Sequence, residues 1–481
     1  MRRALRWYDY FTVNSYYFGL STLMQTMTPL VVPLLVQRYV GQAQQGSYNG
    51  SIRLWSLMVA LLVQSLMGLL SDHSRLPWGR RRPFILVGTL LNVVIIAAIG
   101  FVAGLEGMRG YWALFLLLLL LQFASNTAHG AAQGLIPDIL PERLRGRYSG
   151  VKAILEIPLP VILVSFTTGR LIAAGNLWAA LGVVILVLLL VLAITLFAPE
   201  TPLVGTAKSL NWQPFIRLLL MTAAFTLIIL GLGQVVRLFT GLPGLSPSVQ
   251  IAFVGALGFL AMTLAIGIGV WACIQIGLGQ AAKDHPAYTW WVINRLAFLV
   301  GATNLASFAV FSIQGRLGLP REQAAGPASQ LIMIVGVFIL LLGLPSGWLA
   351  DRFGRIPLVV SSGLLAALGA VLIILAPGMG LIYLGSICIG AAAGVFYTAN
   401  WALGTDLVPK SEAGRFLGIS NLAGAGAGAV GAYIGGSIAD SLTTNYPAFP
   451  GMGYTVLFAI YAAMFLFSTF AATRIRVTQI H

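Results

Sequence analysis

Charge is what this 481-residue chain has least of. It carries 13 Asp and Glu, 28 Lys and Arg and four His, so that 9% of its residues are charged. A water-soluble domain needs a far larger charged surface than this. Cysteine is almost absent as well. Cys273 and Cys388 both lie in apolar runs, which excludes a disulfide framework and a cysteine-based metal centre. No phosphate-binding P-loop, no H-E-x-x-H and no G-x-S-x-G occurs, so neither an ATP-driven device nor a hydrolase is written here. The chain reads as a non-enzyme that needs no cofactor. What it has in abundance is apolar residue: 58% of the chain, with a mean hydropathy of +0.90. Runs of about 18 or more apolar residues read as membrane-spanning helices.

The pattern predicts fourteen such runs, near 12–37, 50–71, 84–104, 112–136, 148–174, 177–197, 217–236, 249–275, 289–314, 328–349, 357–376, 379–405, 415–439 and 453–473, with edges good to about 2–4 residues. The opening "MRRALRWYDYFTVNSYY" starts basic, but Asn14, Gln25, Pro29 and Pro33 interrupt the apolar run behind that start, and no A-x-A site ends it. It reads as a first helix and not as a cleaved signal. With the N-terminus inside, most of the lysines and arginines fall on inner loops. Both termini are then cytoplasmic, and the plasma (inner) membrane is the expected location. The net charge of +15 belongs to these loops and to anionic lipid headgroups. No basic tail or basic helix points to nucleic acid.

Two loop motifs recur in the same order. "DILPERLRGRYSG" (138–150) aligns without gaps to "DLVPKSEAGRFLG" (406–418), and "GLLSD" (68–72) matches "GWLAD" (347–351). A Gly-Arg pair and then a Pro follow each of the latter: Gly79, Arg80, Pro83 and Gly354, Arg355, Pro357. Two motifs repeated in register mean a duplicated bundle. The register leaves spans 217–236 and 249–275 outside both copies, as an inserted hairpin. The expected organisation is an N-terminal six-helix bundle (1–200), a cytoplasmic linker with the inserted hairpin (201–285) and a C-terminal six-helix bundle (286–481).

At these residues the chain resembles the major facilitator superfamily. "GWLADRFGRIP" is similar to that family's cytoplasmic loop signature. "LSDHSRLPWGRRRPFIL", with its insertion between Asp72 and Gly79, is similar to the sucrose-transporter and glycoside–pentoside–hexuronide branches, and "PERLRGR" and "PETP" look like sugar-porter loop motifs. The resemblance implies an all-α polytopic membrane protein with the major facilitator fold, two six-helix bundles plus the hairpin, working by alternating access about a site near the bilayer midplane. It also implies that helices 1 and 4 of each half line the cavity.

The charge cluster in "GLLSDHSRLPWGRRRPFILVG" has two readings, a topology anchor and a latch. In the latch that the resemblance implies, Asp72 faces the helix beginning near Arg415 and Asp351 the helix beginning near Arg147, where free N–H groups favour an anion. Arg80, Arg81, Arg352 and Arg355 pair with Asp138, Asp406 and Glu200 in one state of the cycle and not the other. Glu156 is the candidate proton carrier: an intramembrane carboxylate is a functional hypothesis by default, and Lys152 lies one helical turn away on the same face. His129 is the second candidate. The alternatives are a static Lys152–Glu156 pair and a packing histidine.

For the solute, polar and aromatic groups on the lining helices are the candidates: Gln25, Gln122, Asn126, Asn304, Tyr397, Asn400 and Trp401. Ordinary interhelical hydrogen bonding is the alternative for each. Arg53 and Arg295 read either as anchors or as anion binders. The stretches 54–70 and 112–136 hold no Asp or Glu, which argues against sodium coordination there. "GAGAGAVGAYIGG" (424–436) predicts close helix packing. The expectation is thus a monomeric secondary transporter of a small polar solute, most simply a sugar, coupled to protons. The rivals are an exporter of lipophilic compounds or lysolipid and, in another class, a non-transporting assembly factor or sensor.

Overall fold

The computed structural model describes residues 6–139, 142–200, 211–240, 246–279, 286–320, 322–408, 413–446 and 451–475. Helices and the loops between them make up the described residues, with no strand among them, and thirteen helices are long and apolar enough to cross a membrane, or fourteen with one bent pair. In chain order they are α1 (Asp9–Val40), α2 (Gln45–Asp72), α3 (Arg82–Val102), α4 (Gly107–Ile139), α5 (Glu142–Glu156, Pro158–Phe166 and Thr168–Ala173) and α6 (Leu177–Leu196). Then come α7 (Gln213–Thr240), α8 (Pro247–Gly277), α9 (Pro286–Ser307 and Ala309–Leu317, bent by 56°), α10 (Ala325–Phe353), α11 (Arg355–Leu375), α12 (Met379–Leu407), α13 (Ala413–Asn445) and α14 (Met452–Thr473). The sequence resolves all fourteen, and the chain is an integral membrane protein.

Irregularities fall where donors are missing. Pro29 and Pro33 have no N–H, and α1 widens into a π turn over Met27–Val31. The first segment of α5 stops at Glu156, because Pro158 has no N–H to continue the ladder and Ile157 before it is distorted to φ −113°, ψ −72°. Glu156 therefore ends a helix segment inside a membrane span.

The chain divides into two units. Unit 1 holds residues 1–39 and 58–216, and unit 2 holds 40–57 and 217–481. The hairpin α7–α8 thus groups with the second six-helix repeat, while the first part of α2 departs from its own repeat to join unit 2. In unit 1 the core is built by Val13, Tyr16, Ile85, Ala128, Ala132, Tyr148 and Val191, drawn from α1, α3, α4, α5 and α6. Polar groups within it are matched: Tyr16 Oη meets Thr89 Oγ1 at 2.8 Å, and Asn14 donates to the Tyr148 carbonyl at 3.1 Å. In unit 2, α13 packs against α8, α9 and α14, and its glycines permit backbone contact. A Cβ at Gly436 would strike the Gly46 carbonyl oxygen.

Candidate functional site

The α2–α3 loop folds around Arg81, which is 4% exposed. Its guanidinium donates to Asp138 Oδ2 at 2.9 Å, to Ser71 Oγ at 2.6 Å and to the Asp72 carboxylate. Arg80 donates to Asp138 as well, with Nε 3.0 Å from Oδ2 and a second bond to Oδ1. Arg80 and Arg81 thereby tie the loop to the end of α4, and Arg81 ties it also to the end of α2, inside unit 1. Glu200 serves differently: it accepts the backbone N–H of Arg81 at 2.7 Å and of Arg82 at 3.1 Å, capping the start of α3. Gly79 permits this approach. Its φ is +110°, and a Cβ there would strike the Glu200 carboxylate.

Unit 2 repeats the pattern with fewer parts. Arg355 pairs with Asp406 and donates to the Ala402 carbonyl at 2.6 Å, tying the start of α11 to the end of α12. Asp351 and Arg352 are exposed, and the Arg352 guanidinium lies 5.4 Å from the Trp348 ring centre. The side chains of Arg147 and Arg415 lie outside the described residues.

A second group of unit 1 gathers titratable side chains from three helices. The Lys152 ammonium stands 3.6 Å from Glu156 and 4.1 Å over the ring of Tyr17 on α1. His129 on α4 meets Tyr17 edge to face, 5.9 Å between ring centres, and shares a 3.2 Å hydrogen bond with Gln133. Tyr17 sits between the Lys152–Glu156 pair and the histidine. The sequence alone marks Lys152, Glu156 and His129, but it does not show that one tyrosine joins them.

Unit 2 holds a cation without a carboxylate partner among the described residues. Arg295, on α9, donates to Asn400 Oδ1 at 3.1 Å, and its guanidinium lies 5.3 Å from the ring centre of Trp401 and 5.9 Å from that of Trp291. Asn400 donates in turn to Asn294 at 2.7 Å, and Asn294 donates to Ser468 at 2.8 Å. Asn400 and Trp401 therefore orient one arginine.

The family signal agrees with this architecture. The Major Facilitator Superfamily model matches residues 297–479. A variant of the nucleoside transporter NupG superposes over 98% of this chain and 100% of its own, with a TM-score of 0.66 at 13% identity. The chain has the major facilitator fold. Its sequence is similar to the sucrose transport protein SUT1 of Oryza sativa subsp. japonica, 34% identical over 98 residues, or 17% of this chain and 18% of that protein. It is also similar to the multidrug resistance protein MdtH of Photorhabdus laumondii subsp. laumondii, 33% identical over 125 residues, or 26% of this chain and 31% of that protein. The matched stretches thus span less than a third of either relative. These matches bear out the resemblance read from the loops, and what the chain resembles are transporters, not enzymes.

On this major facilitator fold the remaining candidates sit apart. Asn126 bonds the Gln122 carbonyl at 2.9 Å and its side-chain oxygen at 3.1 Å, and Gln122 reaches toward the Met24 sulfur at 3.9 Å. Gln25 is half-buried on α1 in the same unit. Tyr397 shares α12 with Asn400 and Trp401 and interacts electrostatically with Arg295. Asn304 is fully buried on α9, bonding the Val300 carbonyl at 2.9 Å, with its amide nitrogen against the backbone of Gly431. That environment is one of helix packing.

Proposed function

We propose that the chain is a secondary transporter that moves a small polar solute, a sugar in the first instance, by alternating access, and that it is coupled to protons. The observation that carries this reading is the Tyr17–His129–Lys152–Glu156 group. An ionisable pair at a break in a membrane span, joined by an aromatic ring to a histidine, is an arrangement that static packing does not need. In this reading Glu156 takes up a proton, its hold on Lys152 ends, and the ammonium is free for another partner. In unit 2, Arg295, Asn400, Trp401 and Tyr397 offer donors beside an aromatic face, the chemistry that a sugar ring requires. The similarity to SUT1 supports the same solute class. Gln25, Gln122 and Asn126 complete the solute contacts from unit 1.

The charged loops form the latch of this transporter: Asp72, Arg80, Arg81, Asp138 and Glu200 in unit 1, and Asp351, Arg352, Arg355 and Asp406 in unit 2. In this reading both termini are cytoplasmic and the protein works as a monomer in the plasma (inner) membrane. Counterflow in proteoliposomes with a panel of labelled mono- and disaccharides tests the proposal, because it reports solute binding and exchange whatever the coupling ion. Exchange of one sugar supports it. A folded protein that exchanges none of them moves the reading to an exporter of lipophilic compounds, which the similarity to MdtH favours.

A further inference from the structure

Asp440, on α13, is a buried acidic group that the proposed mechanism leaves unused. It is 7% exposed and lies within the span Gly418–Asn445. Its two carboxylate oxygens accept the backbone N–H groups of Gly46 at 2.7 Å and Ser47 at 2.6 Å. These are among the first-turn amides of α2, which no carbonyl of their own helix can satisfy. A carboxylate borrowed from another helix therefore caps α2, and the helix dipole adds to the attraction. Glycines bring the partners this close, since a Cβ at Gly46 would meet the Gly436 carbonyl oxygen at 2.6 Å and one at Gly50 would strike the Ala432 carbonyl oxygen. The capped segment, 40–57, belongs to unit 2, whereas the rest of α2 belongs to unit 1.

The groups that face Asp440 come from three packed elements. α2 supplies the two amides and the Ser47 hydroxyl. α14 supplies the Tyr454 hydroxyl, which also accepts from Gln45 at 3.0 Å. Among the described residues the cation comes from the inserted hairpin: Arg237 on α7 donates to Ser437 one turn before Asp440 at 2.9 Å and attracts the carboxylate electrostatically. The hairpin, which falls outside both repeats, thus brings a positive charge to this point.

We propose that Asp440 is a proton-binding site whose ionised carboxylate fastens the start of α2 to α13 and whose protonation releases it. Only the anion can accept from both amides while answering the dipole. Taking up one hydronium-derived proton forms one O–H bond, releases one water, removes the charge and turns one acceptor oxygen into a donor that faces an amide N–H. Arg237 stabilises the fastened, ionised form. Acid at this end of the helices therefore favours release, and the α2 segment can change partner as alternating access demands. This rests on the reading of the chain as an alternating-access transporter.

The test is a thiol-accessibility profile. Asn49, fully buried in segment 40–57, is replaced by Cys in a chain with Cys273→Ser and Cys388→Ala. Its rate of reaction with an impermeant methanethiosulfonate is divided by that of free cysteine at the same pH. At 7% exposure the Asp440 carboxylate has also lost most of its water, which opposes the charge that the amides and Arg237 favour and lets a proton compete; the corrected rate is expected to rise at least about tenfold from about pH 8 to about pH 5. Asp440→Asn should be fast and flat across that range, since the carboxamide mimics the protonated acid. Asp440→Glu should keep the pH response, which shows that the site folds. Arg237→Gln removes the cation that favours the anion, so its midpoint should move to higher pH. A flat profile in the parent chain, or an Asp440→Asn chain that keeps the parent's response, overturns the proposal. Labelling needs no solute. A flat profile in a chain that shows counterflow therefore removes the catch alone, and a pH-operated profile without counterflow removes the sugar reading alone.

Discussion

Arg81 holds Asp138 across the bundle, its Nε 2.9 Å from Oδ2, while the same guanidinium bonds Ser71 Oγ and Asp72. One planar group thus serves three acceptors on two helices, which the ammonium of a lysine cannot match in geometry. Because Arg81 is buried, Arg81→Ala leaves Asp138 with a single arginine and Ser71 with none. The expected cost is about 3–5 kcal/mol, read as a fall in Tm in detergent. Arg81→Lys should fall between that variant and the parent. An unchanged Tm for Arg81→Ala would show the cluster to be ornamental to the fold.

The Arg80–Asp138 and Arg355–Asp406 pairs were legible because a motif repeated in register marks equivalent positions without any knowledge of packing. The helix count was legible for a similar reason: a lipid environment writes itself into composition, helix by helix. Three features were not legible. Glu200 was expected to meet arginine side chains, and it caps their backbone instead, a role set by the positive φ of Gly79. Tyr17 joins Lys152 to His129 through an aromatic face, and faces carry no sequence spacing across helices. The departure of residues 40–57 to unit 2 depends on Gly46 and Gly50 meeting Gly436 and Ala432 from far away in the chain. The signal that could have exposed it was there: Asp440 is an acidic residue inside a Gly-rich apolar span.

Glu156→Gln separates coupling from exchange. The carboxamide cannot take up and release a proton, yet it remains close in size to the acid and keeps a hydrogen-bonding end near Lys152. On the proposed function, counterflow of the solute is expected to persist, while uptake driven by a proton gradient falls by about 10²-fold or more, the scale of losing a positioned proton-transfer group. His129→Gln should retain gradient-driven uptake, because a carboxamide can still bond Gln133. If the two variants exchange these phenotypes, His129 is the carrier and Glu156 a static partner.

The arginine on α9 gives a prediction about affinity. Trp401 flanks the Arg295 guanidinium, and a cation beside an aromatic face is worth about 0.5–2 kcal/mol. On the proposed function, Trp401→Ala should therefore raise the KM for the solute by about twofold to thirtyfold, with little change in Tm, because Trp401 is 40% exposed. Asn400→Ala should do more, since it strips an acceptor from Arg295 and a donor from Asn294 in a buried network and lowers Tm as well. A KM untouched by both substitutions would place the solute elsewhere.

The two repeated pairs should differ in strength although they occupy equivalent positions. Arg80 and Asp138 have side chains 21% and 17% exposed, while Arg355 and Asp406 are 30% and 48% exposed. Solvent screens the second pair more, and Asp406 is open enough to keep much of its hydration when Arg355 is removed. Asp138, by contrast, is shared by two arginines, so deleting Arg80 leaves it one remaining cation. Double-mutant cycles with alanine should give a coupling energy of about 1–3 kcal/mol for Arg80–Asp138 and about 0.2–1 kcal/mol for Arg355–Asp406. In the Arg81→Ala background the first coupling should grow, because Asp138 then depends on Arg80 alone. Equal couplings in all three cycles would mean that burial does not govern these pairs and that Arg81 adds nothing to its neighbour.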